Sequence, residues 1–120
     1  MRKMKILFAT MLLSAGATWA SDFSGKWTGM LNTDNGEQMP GYLVLQQTGE
    51  DIKGTAGPDA GHQIEIQNGH VRAGEASFEA RPGPATLKFI LRRKDEKLTG
   101  DVFEDGQRIG SATFQPVADH

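Results

Sequence analysis

The chain has 120 residues, with 13 basic and 15 acidic side chains and no cysteine. The missing cysteines exclude disulfide bonds, thiolate metal sites, a cysteine nucleophile and lipid attachment through cysteine. The acidic excess disfavours nucleic acid as a partner, because an acidic surface repels phosphate groups.

The first twenty residues have the three-part pattern of a secretory signal peptide. A basic start at residues 2–5 precedes an apolar run over 6–13, and Ala17 and Ala20 each offer a cleavage frame. A transmembrane helix needs about 20 apolar residues, so this run is too short to span a bilayer. We predict cleavage after Ala20, a periplasmic or secreted protein without a membrane span, and a single domain over 21–120. That domain has a formal charge of −5, because the leader takes three basic and no acidic residues.

The rest of the chain reads as short apolar runs separated by glycine and polar turn residues, the pattern of an antiparallel meander. Asn68-Gly69 is the strongest hairpin signal, because a type I′ turn needs positive φ at both central positions. Ala73-Gly74 predicts a further turn. The eight or nine predicted strands, in chain order, are 23–31, 42–47, 52–56, 63–67, 70–72, 76–80, 87–92, 98–104 and 108–114.

Residues 43–54 and 89–100 align without a gap. Each segment has three apolar residues, two long polar ones, a charged turn, and an apolar residue two before a glycine. Duplication and convergent turn chemistry explain this equally well, and either predicts one hairpin type used twice. Gly54 and Gly100 then fall inside strands, which is typical of bulges and barrel corners. We predict a small closed barrel, which has no exposed edges; a two-layer β-sandwich is the alternative, since both folds use the same alternation.

The apolar residues of these strands predict the core. A small barrel is either filled by its own side chains or holds one small ligand. Because the strands are short, we expect a mostly filled interior with a shallow pocket at one mouth. The predicted core consists of Phe23, Trp27, Leu43, Leu45, Ile64, Ile66, Phe78, Phe89, Leu91, Val102 and Phe114.

Gly25-Lys26-Trp27-Thr28-Gly29 resembles the opening strand of calycin-type barrels, the lipocalins and avidins, whose Gly-x-Trp places an indole in one barrel end. The chain also resembles a group of small exported bacterial proteins of unknown function. That likeness spans most of the chain after the leader and implies a fold more than a function. It is carried by segments 22–29, 43–49, 54–58, 66–69 and 98–101.

The chain departs from both calycin groups at their ligand sites. Avidin-type biotin sites are walled by several tryptophans, whereas Trp27 and Tyr42 are the only tryptophan and tyrosine after the leader, so biotin binding is not expected. In lipocalins an arginine near the end of the last strand covers the tryptophan. Here Arg108 lies at the start of that strand and no basic residue follows it. The resemblance therefore implies a calycin-like shape without lipocalin function.

No catalytic motif stands out. His62 and His70 flank one strand, with Asp59 nearby, and would bind zinc or copper only if the hairpin joined them; their spacing matches no ligand pattern. No serine lies in a Gly-x-Ser-x-Gly elbow. The carboxylates lie in turns, where the burial that raises a catalytic pKa is not expected. The basic run 92–94 is predicted to be a solvated hairpin tip. We predict no enzyme activity, metal or cofactor.

These observations predict a non-enzymatic binding module for a small molecule, an envelope component or an exported protein. The candidate ligand-binding residues are Trp27, Tyr42, His62 and His70. An apolar cleft around Tyr42 and Trp27, left open by the domain's own side chains, would support this function. The alternative is an inhibitor of, or accessory domain to, an exported hydrolase. Its proline-containing loops, 58–61 or 81–84, would enter an active-site cleft, because a rigid loop loses less entropy on binding.

Overall fold

A computed structural model describes residues 23–117, so the predicted leader and its cleavage site lie outside the described residues. This range contains no helix with the length and hydropathy of a bilayer-spanning segment. The nine strands are β1 Gly25–Thr33, β2 Gln38–Thr48, β3 Asp51–Asp59, β4 His62–Glu65, β5 Gln67–Arg72, β6 Glu75–Ala80, β7 Leu87–Lys94, β8 Lys97–Glu104 and β9 Gln107–Pro116.

Eight of the strands close into an antiparallel barrel, which confirms the predicted all-β meander and decides against the sandwich. The strand order is β2-β1-β9-β8-β7-β6-β5-β3, and pairing of β2 with β3 completes the ring. The ninth strand, β4, also pairs with β3. Ile66 lies between β4 and β5, and its amide nitrogen donates to the Gly54 carbonyl oxygen at 3.0 Å. Strands β4 and β5 therefore run along β3 as one bent segment.

The barrel forms because its strands alternate between inward and outward side chains. In β6, Ala76, Phe78 and Ala80 are buried, and the residues between them are half-exposed. The Phe78 ring stacks on Phe89 of β7 with 5.2 Å between centroids. Such cross-strand pairs of aromatic rings stabilise adjacent strands.

The repeated hairpin predicted from the sequence is present. Gly54 lies opposite Leu45, and Gly100 lies opposite Leu91, at matching places in the β2–β3 and β7–β8 hairpins. A Cβ on either glycine would lie 1.8 Å from a carbonyl oxygen of the neighbouring strand. The two glycines are therefore required by the close approach of the strands in both hairpins.

The predicted turn at Asn68-Gly69 is wrong. Both residues lie inside β5, where the register shifts between Gln67 and His70. Asn68 has a positive φ of 54°, as an Asn-Gly turn would require, but this conformation belongs to a β-bulge within β5. Gly69 lies opposite Ile52, and a Cβ there would lie 2.3 Å from the Ile52 carbonyl oxygen. The predicted turn at 73–74 is correct.

The predicted core is confirmed except at one position. Ile64 is 37% exposed, whereas the other predicted core residues are buried. The core also includes side chains that the sequence analysis did not select, namely Leu31, Ile52, Ala56, Val71, Ala76, Ala80, Leu98 and Ala112.

The strand directions give the barrel two ends. Turns 49–50, 73–74 and 95–96 lie at one end, together with Phe23, and we call this the sealed end. The loops over 34–37, 60–61, 81–86 and 105–106 lie at the other end, which we call the mouth.

Candidate functional site

A cavity of about 650 Å³ opens at the mouth. Ligand sites in proteins are usually concave, largely apolar and about 300–1,000 Å³ in volume. The mouth cavity is lined by Leu31, Met39, Pro40, Gly41, Tyr42, Leu43, Ala56, Gly57, Pro58, Gly61, His62, Gln63, Ile64, Ala80, Pro82, Leu87, Phe89 and Phe114. The interior is packed at the sealed end and leaves this cavity at the mouth.

Small side chains keep the mouth cavity open. Gly41, Ala56 and Ala80 are buried inward-facing residues at the mouth ends of β2, β3 and β6. Phe89 and Phe114 are also buried, so they form the inner limit of the cavity. Gly41 allows this aromatic floor to lie close to the wall, because a Cβ there would lie 2.9 Å from Cε1 of Phe114.

One wall of the mouth cavity is formed by β4, which explains the exposure of Ile64. Within residues 23–117, β4 pairs only with β3. The strand β6 pairs with β5 as far as the pair Gln67 and Glu79, and this pairing does not extend to β4. Ile64 lies opposite the buried Ala56 and shares its inward face. Its side chain is therefore directed to the interior but has no neighbouring strand to cover it.

The polar groups of this wall are held by local hydrogen bonds. Gln63 Nε2 donates to the carbonyl oxygens of Tyr42 and Asp59, at 3.1 and 2.9 Å, and Gln63 Oε1 accepts from Thr55 Oγ1 at 2.7 Å. His62 Nδ1 lies 2.8 Å from Asp59 Oδ1, and the Gly61 amide donates to the same oxygen at 2.9 Å. The hydrogen bond from His62 is the main reason that the pKa of Asp59 is lowered.

The sealed end is built around Trp27. Its indole is buried, and Nε1 donates to the Phe23 carbonyl at 3.0 Å. Phe23 is fully buried, and its amide donates to Gln47 Oε1 at 2.9 Å. The guanidinium carbon of Arg93 lies 5.7 Å from the Trp27 ring centroid, which is within cation–π range.

Residues 92–94 are exposed, as expected of a solvated hairpin tip, and Arg93 in addition contacts the Trp27 ring. Arg93 belongs to β7, far from Trp27 in sequence, and closure of the barrel brings them together. The guanidinium that lies over the Trp27 ring therefore belongs to a residue of β7, and not to a residue of the last strand, β9. Alternation from Phe89 and Leu91 places Arg93 on the inward side of β7, whereas Arg92 lies on the outer side and pairs with Glu75 at 2.9 Å.

The four predicted ligand-binding residues do not lie in one place. Tyr42 and His62 line the mouth cavity, whereas Trp27 lies at the sealed end beside a separate surface cleft of about 440 Å³. The inward residues of β2 are Gly41, Leu43 and Leu45, so alternation places the Tyr42 ring on the outer face, at the margin of the cavity. Neither of these two cavities is lined by both Tyr42 and Trp27.

His70 and His62 lie beside opposite ends of β3. His62 lies opposite Asp59 near the mouth, and His70 lies opposite Asp51 at the sealed end. The hairpin therefore does not join the two imidazoles. Across residues 23–117 no group of three or more histidine, aspartate and glutamate side chains has the arrangement of a metal site.

The sequence analysis missed most of the cavity. Ala80, Pro82 and Leu87 flank the loop over 81–86 and line the mouth. In the sequence, Ala80 and Leu87 look like ordinary strand ends and Pro82 looks like a turn residue. Only the register of the closed barrel shows that they line the cavity. The Pro58–Gly61 turn, predicted as a protruding loop, contributes to the same wall.

Comparison with known proteins supports the fold and leaves the function open. No known protein family and no curated protein matches the chain. Among solved structures, a redesigned beta barrel is similar, with a TM-score of 0.58 and 13% sequence identity. The match covers 79% of this chain and 91% of that one. At this identity the likeness shows the fold alone: the protein is a small β-barrel.

Proposed function

We propose that this protein is a non-enzymatic, exported binding module that holds a small apolar molecule in the mouth cavity. The observation that carries the proposal is the open, mainly apolar space that the inward residues leave unfilled at one barrel end. Burial of apolar ligand surface against Leu43, Phe89 and Phe114 would provide most of the binding free energy. Export is suggested by the leader pattern of residues 1–20.

The shape of the barrel supports a ligand that enters from the mouth. The sealed end is closed by Phe23 and Trp27, which are both buried. The floor residues are also buried, so the cavity is a blind one. The β4 wall has a strand neighbour on one side only within residues 23–117, and its Ile64 is partly exposed.

A neutral fluorescent probe, N-phenyl-1-naphthylamine, tests the proposal. We expect saturable fluorescence enhancement with the purified protein. Ala56→Phe would fill the cavity from its β3 wall and weaken probe binding by more than about tenfold, because the ligand and the new ring would occupy the same space. Val44→Phe is the matched control, since Val44 lies on the outer face of β2.

Two results would overturn this function. One is the absence of saturable binding by this probe and by a panel of other apolar molecules. The other is equal binding by the Ala56→Phe and wild-type proteins while both remain folded by circular dichroism. Retention of a periplasmic protein instead of a small molecule would favour the alternative of a hydrolase inhibitor or accessory domain, with loops 58–61 and 81–84 as its contact surface.

A further inference from the structure

We propose that the ligand of the mouth cavity has an apolar body and a head group that donates a hydrogen bond and carries no negative charge, with His62 Nε2 as the acceptor. Alcohols, amides and amines have such head groups, and fatty acid anions do not. This inference rests on the proposed function, because it specifies the ligand class of the same cavity.

The position of His62 suits contact with a head group. His62 precedes Ile64 by two residues in β4, so both side chains lie on the cavity face of the strand. Ile64 forms part of the apolar wall, and His62 lies nearer the rim. The His62 side chain is 77% exposed, so a ligand seated in the cavity can reach its ring.

Asp59 determines which ring nitrogen of His62 accepts. Its carboxylate is ionised at neutral pH and can only accept hydrogen bonds. Because Nδ1 lies 2.8 Å from Asp59 Oδ1, the neutral imidazole carries its proton on Nδ1 and keeps a lone pair on Nε2. The Gly61 amide, 2.9 Å from the same oxygen, fixes the carboxylate. His62 therefore presents an acceptor to the ligand.

The charge of the mouth disfavours an anionic head group. Five acidic residues lie in or beside the mouth turns against three basic ones, Arg81, Lys88 and Arg108; the acids are Asp34, Glu37, Asp59, Glu104 and Asp105. The Arg108 guanidinium near them is engaged by two carboxylates, with nitrogen–oxygen distances of 3.1 Å to both Asp34 and Asp101. A ligand carboxylate would add negative charge beside these acids and would meet a lone pair at His62 Nε2.

Competition among ten-carbon ligands tests the head group. Decanol, decylamine, methyl nonyl ether and sodium decanoate compete with N-phenyl-1-naphthylamine for protein purified after expression of the full chain. The measurement is made at about pH 8. Decanol and methyl nonyl ether are isomers with ten carbons each, but only decanol donates a hydrogen bond. We expect decanol to bind roughly three- to tenfold more tightly than the ether, the effect of one hydrogen bond, and decanoate to bind more weakly than both.

Variants identify the acceptor. His62→Ala should remove the advantage of decanol over the ether, whereas His70→Ala should preserve it, because His70 is exposed on β5 outside the cavity. Asp59→Asn should reduce the advantage, since an amide can donate to Nδ1 and thereby allow the proton on Nε2. The nitrogen chemical shifts of His62 report the tautomer directly, and we expect Nε2 to be unprotonated in the wild-type protein at about pH 8.

The outcomes separate this inference from the proposed function. If decanoate competes best, if decanol and the ether bind equally, or if NMR places the proton on Nε2, the head-group inference is wrong and the binding function stands. If neither the probe nor any competitor binds, the binding function itself is wrong.

Discussion

The two ends of the barrel differ in how their inward positions are filled. Along β2, the inward residue is Leu45 at the sealed end and Gly41 at the mouth. Along β3, it is Ile52 at the sealed end and Ala56 at the mouth. The same strands therefore build a packed core at one end and a cavity at the other. The difference teaches that side-chain size at a few inward positions decides whether a small barrel is filled, because closure and strand number are common to both ends.

The difference has an energetic consequence. Large side chains at the sealed end remove apolar area from water and contact one another closely, so they contribute most of the stability. The mouth contributes less, since its wall residues remain partly hydrated. We therefore expect substitutions at the sealed end to change stability, and substitutions at the mouth to change ligand binding.

Trp27→Ala should have the largest effect. It removes a buried indole and its hydrogen bond to the Phe23 carbonyl, 3.0 Å away, and should lower the free energy of unfolding by about 3–5 kcal/mol. Urea denaturation followed by circular dichroism measures this loss. Trp27→Phe, which keeps a ring but not the donor, should lose less. A loss below about 1 kcal/mol for Trp27→Ala would show that the sealed end is not the stable half.

A matched pair of leucines compares the two ends directly. Leu98 is fully buried at the sealed end, so Leu98→Ala should cost about 2–5 kcal/mol of unfolding free energy. Leu87 is half-buried at the mouth cavity, so Leu87→Ala should cost about 1 kcal/mol, because much of its surface already meets water. Denaturation of the two variants under the same conditions tests this difference. Equal losses would contradict the division into a packed end and an open end.

Arg93→Ala should have the smallest effect of the three. Its guanidinium lies over the Trp27 ring, and a cation–π contact at such a site contributes about 0.5–1 kcal/mol. Arg92→Ala is the control, because Arg92 forms a surface ion pair with Glu75, and such pairs contribute little. The indole N–H resonance of Trp27 should move in Arg93→Ala and stay in place in Arg92→Ala. If the resonance moves in Arg92→Ala and stays in place in Arg93→Ala, Arg93 does not contact Trp27 in solution.

Much of the fold could be predicted because it depends on local patterns. Alternation identified most of the strands and ten of the buried core side chains, and the two aligned hairpin segments placed Gly54 and Gly100 at equivalent barrel positions. The dipeptide Asn68-Gly69 shows the limit of local reasoning. A turn and a bulge both use positive φ, and only the approach of β3 determined that this one is a bulge.

The candidate site was less predictable because its residues come from separate strands. His62 and Tyr42 were selected as uncommon polar or aromatic residues, and both lie at the mouth cavity. Trp27 and His70 were selected in the same way and lie elsewhere. The alanines that leave the cavity open have no chemical signal of their own.

By itself, the sequence determined the all-β class, the strand order along the chain, the repeated hairpin and the identity of the buried aromatic residues. These follow from alternation and turn chemistry, which act over a few residues. Only the tertiary structure decided that the sheet closes, that Arg93 covers Trp27, and that Gly41, Ala56 and Ala80 gather at one end. Those features depend on register between distant strands, because a shift of one residue would turn each inward side chain outward.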